Sequence, residues 1–414
     1  MNCRTKHKMI FSPKKRHATH CKAITLFFLL LVLSPRFAVG QSTEKAKILN
    51  QRIPFVFEVA KNKARQSIND IPINRYPITT DKSGKWKTTN SSGWTSGFFP
   101  GILWLLHEQS GNKAFKQEAI KRQNNLSDQQ YNTKTHDVGF IIFESFGNGY
   151  RLTENKTYRS IIFNAAQSLS SRYDKKIGLI KSWEGPSNTH QTIIDNLMNL
   201  QILFWSAKNS RNPNLKKIAT NHALITAKDF IRSDGSTYHL VNYDFKTGKI
   251  VSKMSAQGLS SQSSWSRGQA WAIYGFTMAY RETGDVTLLN SARKTANYFI
   301  NSLPPDFVPY WDFSVIDKKG APKDSSAAAI AASGLLELAK LEKTQVYKNR
   351  YTEAAENILL SLSSKKYLSA KKEEKSILLH GTYNKNVGDF DTGTIWGDYY
   401  FLEAMLKYIA IRQQ

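Results

Sequence analysis

The feature that most limits the folds open to this chain is a repeated alternation of amphipathic helical stretches with short polar turns. Apolar positions recur at helical spacing over residues 98–110, 137–152, 157–172, 193–208, 215–231, 268–282, 286–301, 324–341, 346–362 and 396–412, and strand signals are few. Several pairs share one kind of turn: His107-Glu108-Gln109-Ser110-Gly111-Asn112, Tyr150-Arg151-Leu152-Thr153-Glu154-Asn155 and Tyr280-Arg281-Glu282-Thr283-Gly284-Asp285. In the third, Gly284 is expected just past a helix end and Asp285 near the next N-cap. A two-helix unit takes about 60 residues, so about six helical hairpins fit. Such hairpins either stack as an open solenoid or close around one core. Their degeneracy, their unequal lengths and the clustering of polar and aromatic residues between units favour closure, an all-α (α/α)6 barrel. Residues 232–250 alternate polar and β-forming residues with turn signals, and read as a small β-hairpin inserted between helices. No Pro/Ser/Gly-rich linker divides 45–414, so 41–414 is expected to be a single domain.

The N-terminus departs from this pattern. Arg4, Lys6, Lys8, Lys14, Lys15, Arg16 and Lys22 precede an apolar run, Ala23 to Leu33, and Ala38-Val39-Gly40 places small residues before Gln41. A basic region, a short apolar core and a small-residue site describe a secretory signal peptide over 1–40. Eleven helical residues span roughly 16 Å, too little for a ~30 Å hydrocarbon core, so a membrane anchor fits less well. No Cys follows the run, which argues against a lipoprotein.

Charge and cysteine content change meaning accordingly. The whole chain has 58 Lys and Arg against 32 Asp and Glu, a net charge of +26. The leader holds eight of the basic residues and no acid, which leaves +18. Both cysteines, Cys3 and Cys21, lie in it, so the processed chain has no disulfide or thiol chemistry. Its remaining lysines are spread along the helices rather than gathered in a basic arm, which disfavours nucleic-acid binding. The chain contains no phosphate-binding, dinucleotide-binding or H-E-x-x-H pattern, and its histidines lack metal-ligand spacing. No metal or cofactor is expected.

Two aspartates open apolar helices. Asp137 lies in His136-Asp137-Val138-Gly139-Phe140, and Asp195 lies between Ile193-Ile194 and Leu197-Met198. Each is compatible with an N-cap bonded to backbone amides. Asp195, set among apolar neighbours, is also compatible with a catalytic carboxyl, because desolvation raises a carboxyl pKa towards the range a general acid needs; for Asp137 taken alone the N-cap is the better reading. Trp94, Trp183, Trp265 and Trp271 sit in or beside Gly/Ser-rich segments. They could stack on the apolar C–H faces of sugar rings or fill the toroid core. Arg267, between Trp265 and Trp271, could grip an anionic group bidentately.

These segments together resemble the unsaturated glucuronyl hydrolases, glycoside hydrolase family 88. The resemblance covers roughly 85–410 and rests on W-T-S-G-F-F-P-G (94–101), H-D-V-G-F (136–140), Y-R-L-T (150–153), D-N-L-M-N (195–199), R-x-D-G-S-x-x-H (232–239), S-x-W-S-R-G-Q-A-W (263–271), D-S-S-A-A-A-I (324–330) and I-W-G-D-Y-Y (395–400). It implies hydration of the C4=C5 double bond that a polysaccharide lyase leaves in a non-reducing uronate. Asp195 would be the general acid and then the base that activates water. Asp137 would orient the pyranose. His136, His239, Ser255, Gln257, Arg267 and Trp271 would contact or polarise the uronate, and Trp94, Trp183 and Trp265 would wall the pocket. Lys385, in Gly381-Thr382-Tyr383-Asn384-Lys385-Asn386, would meet an anionic substituent. The chain departs from the family pattern at Ala256, where a His often precedes the Gln.

The expected partner is an anionic unsaturated oligosaccharide of glycosaminoglycan or ulvan type, with no nucleic acid, and no membrane once the leader is removed. The expected protein is a monomer or weak dimer, exported to the periplasm or secreted. Two alternatives stay open: an unsaturated rhamnogalacturonyl hydrolase acting on pectin fragments, and a non-catalytic oligosaccharide-binding toroid.

Overall fold

The computed structural model describes residues 35–186 and 188–413, with side chains from Glu44 onward. The expected leader and its cleavage point fall outside the residues whose side chains are described. Residues Ser42–Gln414 form one compact unit.

Among the described residues thirteen α-helices occur in order: α1 (Pro35–Asp70), α2 (Phe98–Ser110), α3 (Lys113–Asn124), α4 (Val138–Ile142), α5 (Asn148–Thr153), α6 (Lys156–Ser170), α7 (Asn196–Ser210), α8 (Pro213–Phe230), α9 (Ser266–Thr283), α10 (Val286–Asn301), α11 (Ser325–Leu341), α12 (Gln345–Leu362) and α13 (Ile395–Arg412). A π-helical turn, Phe143–Gly147, joins α4 to α5. These two act as one inner helix where the periodicity predicts an unbroken one. An inner ring of α2, α4–α5, α7, α9, α11 and α13 closes on itself, α13 packing back on α2. The inner α11 is buried almost all round, whereas the outer α10 buries one face through Leu288, Leu289, Ala292, Thr295, Ala296 and Phe299. This is the burial expected of inner and outer layers. The expected (α/α)6 toroid is therefore the observed fold.

Two outer helices escape the periodicity reading. The segment of α3 is strongly polar and buries only Phe115, Ala119, Arg122 and Gln123. The α1 helix lies upstream of the first expected one, and is tied to α12 by Lys45–Glu353 (2.9 Å) and by Arg52 donating to the Leu360 carbonyl (2.7 Å).

The two ends of the toroid are built differently. At one end, four inner helices pass to outer ones through two-residue turns: Gly111-Asn112, Glu154-Asn155, Arg211-Asn212 and Gly284-Asp285. The first residue of each has positive φ, and the second caps the next helix through its side chain. Glycine relieves that left-handed conformation at 111 and 284. At the other end, long segments (71–97, 125–137, 171–195, 231–265, 302–324 and 363–394) return the chain to the inner ring. The inner helices all begin there, so their positive dipole ends converge on one mouth.

The long segments carry the strands: β1 (Tyr76–Thr80) with β2 (Trp86–Thr89), β3 (Tyr173–Asp174) with β4 (Leu179–Ile180), a sheet of β5 (Thr189–Ile193), β6 (Leu240–Asp244) and β7 (Ile250–Met254), and β8 (Gly381–Asn384) with β9 (Asp389–Thr392). All pairs are antiparallel. The hairpin expected near 232–250 is β6–β7, displaced slightly towards the C-terminus. It is not isolated, because β5 adds a third strand with Ile193 opposite Leu240. That pairing delivers Asp195 to the mouth. Among the described residues no helix is long and apolar enough to cross a membrane, and no group of three or more His, Cys, Asp or Glu is arranged to hold a metal ion.

Candidate active site

The two aspartates meet at the mouth because α4 and α7 are clamped together. The Asn199 side-chain oxygen accepts from the Phe140 amide at 2.8 Å, binding the first turns of both helices. Ser182 adds a second clip. Its carbonyl accepts from the His136 amide (3.1 Å), its hydroxyl accepts from the Ile193 amide (2.9 Å), and that hydroxyl donates to the Asn196 side chain (2.6 Å).

Asp137 and Asp195 both occupy N-cap positions, yet neither side chain bonds its helix. Asp285 and Asp324 do cap theirs: Asp285 accepts from the Thr287 amide, and Asp324 from those of Ser326 and Ala327. The capping alternative is thereby removed for Asp137 and Asp195. One Asp137 oxygen accepts from the Thr135 hydroxyl at 2.8 Å, and the other lies 3.3 Å from Nε2 of His136. Asp195 keeps 15 % side-chain exposure, but its Oδ2 is sealed and has no hydrogen-bond partner. Burial pushes this carboxyl up to about 7; the Arg267 cation opposes the rise and the charge of Asp137 adds to it. The Trp271 indole N–H is near enough to favour the anion, but makes no hydrogen bond of normal geometry.

The two histidines are neutral in this setting. Burial pushes His239 down to about 3, helped by the Arg267 charge, and burial lowers His136 against the pull of Asp137. They can supply hydrogen bonds, not cationic charge. Nε2 of His239 faces Oδ2 of Asp195 at 3.6 Å.

The expected tryptophans divide into two classes. Trp94 and Trp183 are half-buried at the mouth. Trp94 packs on Trp396 (4.9 Å) and Tyr383 (6.3 Å), and Trp183 is edge-on to His136 (6.0 Å) with its N–H donated to Gln191 (2.8 Å). Trp265 and Trp271 are sealed. Trp265 is covered by His239 and by the Arg267 guanidinium, each at 4.4 Å. Trp271 stands within α9 against Phe140 and Tyr400. For Trp265 core filling replaces the expected pocket wall, and Trp271, expected to contact or polarise the uronate, is likewise part of the core.

Arg267 is the largest departure. Its terminal nitrogens face Oδ2 of Asp324 (3.2 Å) and the carbonyls of Thr382 and Tyr383 (the latter at 2.8 Å). Both terminal nitrogens are thus engaged and only Nε lacks a partner, which corrects the expectation that the two ends of the fork are free to grip a carboxylate bidentately. Gln257 donates to the Tyr383 carbonyl (3.1 Å), and Ser255 accepts from the Gly258 amide (2.8 Å). Lys385 is half-exposed with its ammonium 4.3 Å from the Phe390 ring. All three sit at the mouth end, on the segments 231–265 and 363–394.

Several contributors were not singled out as site residues. Tyr383, Trp396, Gln191 and Thr135 contact the expected set, and Asp324 holds Arg267. Asp324 opens D-S-S-A-A-A-I and Trp396 stands in I-W-G-D-Y-Y, so both lie within motifs that carry the resemblance. Tyr383 stands in the loop that carries Lys385, but its contacts with Trp94 and Arg267 are long-range, and Gln191 carried no signal.

The family model for Glycosyl Hydrolase Family 88 matches residues 65–408. An unsaturated glucuronyl hydrolase of Formosa agariphila is 36% identical over 395 residues, covering 92% of this chain and 98% of its own. An unsaturated chondroitin disaccharide hydrolase of Streptococcus agalactiae is 33% identical over 382 residues, covering 89% and 96%. Among solved structures, an unsaturated glucuronyl hydrolase specific for heparin is 36% identical with a TM-score of 0.84, over 88% of this chain and 99% of that one.

Proposed function

The chain belongs to glycoside hydrolase family 88, and from that membership we propose how its site works as an unsaturated glucuronyl hydrolase. The substrate is an oligosaccharide whose non-reducing uronate carries a C4=C5 enol ether. Asp195 delivers its proton to C4, and the positive charge that develops at C5 is shared with the ring oxygen. Water adds to C5 while the Asp195 carboxylate takes up a water proton, which restores the acid. The resulting hemiketal opens by breaking the bond between C5 and the ring oxygen. C1 is then left as a hemiacetal, which expels the remaining sugar as an alcohol.

The observation that carries this reading is the state of Asp195. Its carboxyl is held up to about 7 by burial, so a large fraction is protonated at neutral pH, as proton donation to carbon requires. Asp137, bonded by Thr135 and facing His136, serves as the charged partner that orients the sugar. Trp94 and Trp183 offer partly open aromatic faces for sugar rings. Gln257, Ser255 and Lys385, on the flanking loops, are placed to meet the polar groups of the substrate.

The natural substrate is proposed to be a lyase product of a glycosaminoglycan or ulvan. The relatives named for chondroitin disaccharide and heparin support the glycosaminoglycan arm. Export through the N-terminal leader fits a substrate made outside the cytoplasm. The net charge of +18 after leader removal, together with six converging helix N-termini, favours capture of an anion. A panel of unsaturated disaccharides from chondroitin, heparin, hyaluronan and ulvan, with a galacturonyl-rhamnose product beside them, tests the proposal. Loss of enol-ether ultraviolet absorbance with a glucuronyl substrate is expected. Turnover of the galacturonyl product alone would move the activity to pectin fragments, and no turnover of any would sink it.

A further inference from the structure

We propose that the main-chain amide of Ala256 is a positioning group for the general acid: it donates to Nδ1 of His239, keeps the ring proton on Nε2, and so aims an N–H at Oδ2 of Asp195. The inference rests on Asp195 being the proton donor.

The Ala256 amide lies 3.2 Å from Nδ1 of His239. A ring nitrogen that accepts a hydrogen bond carries no proton, and a neutral imidazole has one proton, so here it is on Nε2. That atom is 3.6 Å from Oδ2 of Asp195. Both atoms are sealed from solvent and have no other hydrogen-bond partner. The gap is a few tenths of an ångström beyond a hydrogen bond, and catalytic contacts commonly tighten when substrate binds.

The imidazole has little freedom to turn elsewhere. It lies on Trp265 at 4.4 Å. Its own amide donates to the Met254 carbonyl, and its carbonyl accepts from the Ile194 amide, one residue before Asp195. The chemical purpose follows from the proposed reaction. When Asp195 gives its proton to C4, a carboxylate appears where water cannot reach Oδ2. A fixed N–H aimed at that oxygen stabilises the new charge without rearrangement.

The amide is itself held in place. The loop 255–263 folds on Asp312, which is fully buried and accepts from the Leu259 amide (2.9 Å) and the Ser263 hydroxyl (2.7 Å). Only glycine fits at 258, because a Cβ there would lie 2.7 Å from that carboxylate. The side chain of Ala256 is exposed, so the contact depends on the backbone and is indifferent to whether His or Ala stands at 256. Proline is the exception, since it has no amide hydrogen.

The test compares His239→Leu, His239→Gln and Ala256→Pro with the unmodified enzyme, reading kcat, KM and the pH profile on an unsaturated disaccharide. Losing the N–H removes a stabiliser of the carboxylate, so the acid form persists to higher pH. The alkaline limb of kcat/KM is expected to move up by about one pH unit in the leucine and proline variants, the shift one charge-assisted hydrogen bond produces. kcat should fall at least ~10-fold with KM little changed. Glutamine, whose amide can reach Asp195, should return the limb towards its original position. An unmoved limb in a folded His239→Leu enzyme, or a change confined to KM, overturns the proposal. Nitrogen NMR of histidine-labelled, unmodified protein gives an answer independent of any variant. A proton on Nε2 of His239 is expected, and a proton on Nδ1 overturns the proposal. Inactivity of the unmodified enzyme on every disaccharide would instead mark failure of the proposed function.

Discussion

Nη1 of Arg267 lies 3.2 Å from Oδ2 of Asp324, and both side chains are sealed from solvent at the mouth of the barrel. The guanidinium sits between Trp265 (4.4 Å) and Trp396 (5.2 Å) and donates to the Thr382 and Tyr383 carbonyls. Asp324 also caps α11. One pair therefore joins α9, α11, α13 and β8 beneath the site, and its cation limits how far the Asp195 carboxyl rises.

Breaking that pair should cost stability first. Asp324→Ala leaves a buried guanidinium without its counter-charge and removes a helix cap. A loss of about 3–5 kcal/mol is expected from denaturant unfolding. A midpoint unchanged from the unmodified protein would show that the pair is not structural.

The carboxyls should be needed for chemistry, not for folding. Asp195→Asn is expected to lower kcat at least ~100-fold, the usual range for a lost acid or base, and Asp137→Asn to lower activity severely by removing the group that orients the sugar, both with circular dichroism unchanged. The unmodified enzyme should lose kcat/KM as pH rises through about 7, because the proton-donating form of Asp195 disappears there. Retention of full activity at pH 9 would remove Asp195 from that role.

The same shift predicts a stability gain on neutralisation. A carboxyl whose pKa is raised on folding costs nothing below its unfolded value near 3.8 and a growing amount up to about 7, after which the cost is constant. Asp195→Asn should therefore melt higher than the unmodified protein at pH 8, by an amount on the order of a few kcal/mol, and show little gain at pH 4. Melting curves at the two pH values decide this. An equal gain at both would assign it to packing.

Truncating the four tryptophans should separate binding from folding. Trp94→Ala and Trp183→Ala remove half-exposed rings and should raise KM with a loss of about 1 kcal/mol in melting stability or less. Trp265→Ala and Trp271→Ala empty sealed volume and should cost about 3–5 kcal/mol. Soluble, fully stable protein from either of the latter would contradict their place in the core.

Expression in a secreting bacterial host should yield a processed protein whose first residue is Gln41. An unprocessed N-terminus would overturn the signal-peptide assignment.

Much of the architecture was legible because helical periodicity and turn chemistry are local. Gly284-Asp285 announces both a helix end and the next cap, and the structure places both there. The polar α3 was missed because an outer helix that buries few residues leaves a weak pattern. The strand β5 was missed because its partner β6 lies some fifty residues away. Asp137, Asp195, Asp285 and Asp324 all stand at helix starts in the sequence. Only the fold separates the two that cap from the two that do not, because that depends on which way each carboxyl turns.

The sequence by itself determined the succession of helical hairpins, the motifs that carry the family resemblance and the place of two aspartates at helix starts, since these depend on spacing and residue type along the chain. The tertiary structure decided what those positions mean. It sealed Oδ2 of Asp195 and thereby raised its carboxyl pKa, committed Arg267 to Asp324 instead of to an incoming anion, and put the Ala256 amide against His239. Burial and hydrogen-bond partnership are relations between residues far apart in sequence. No local pattern encodes them, and they exist only once the ring has closed.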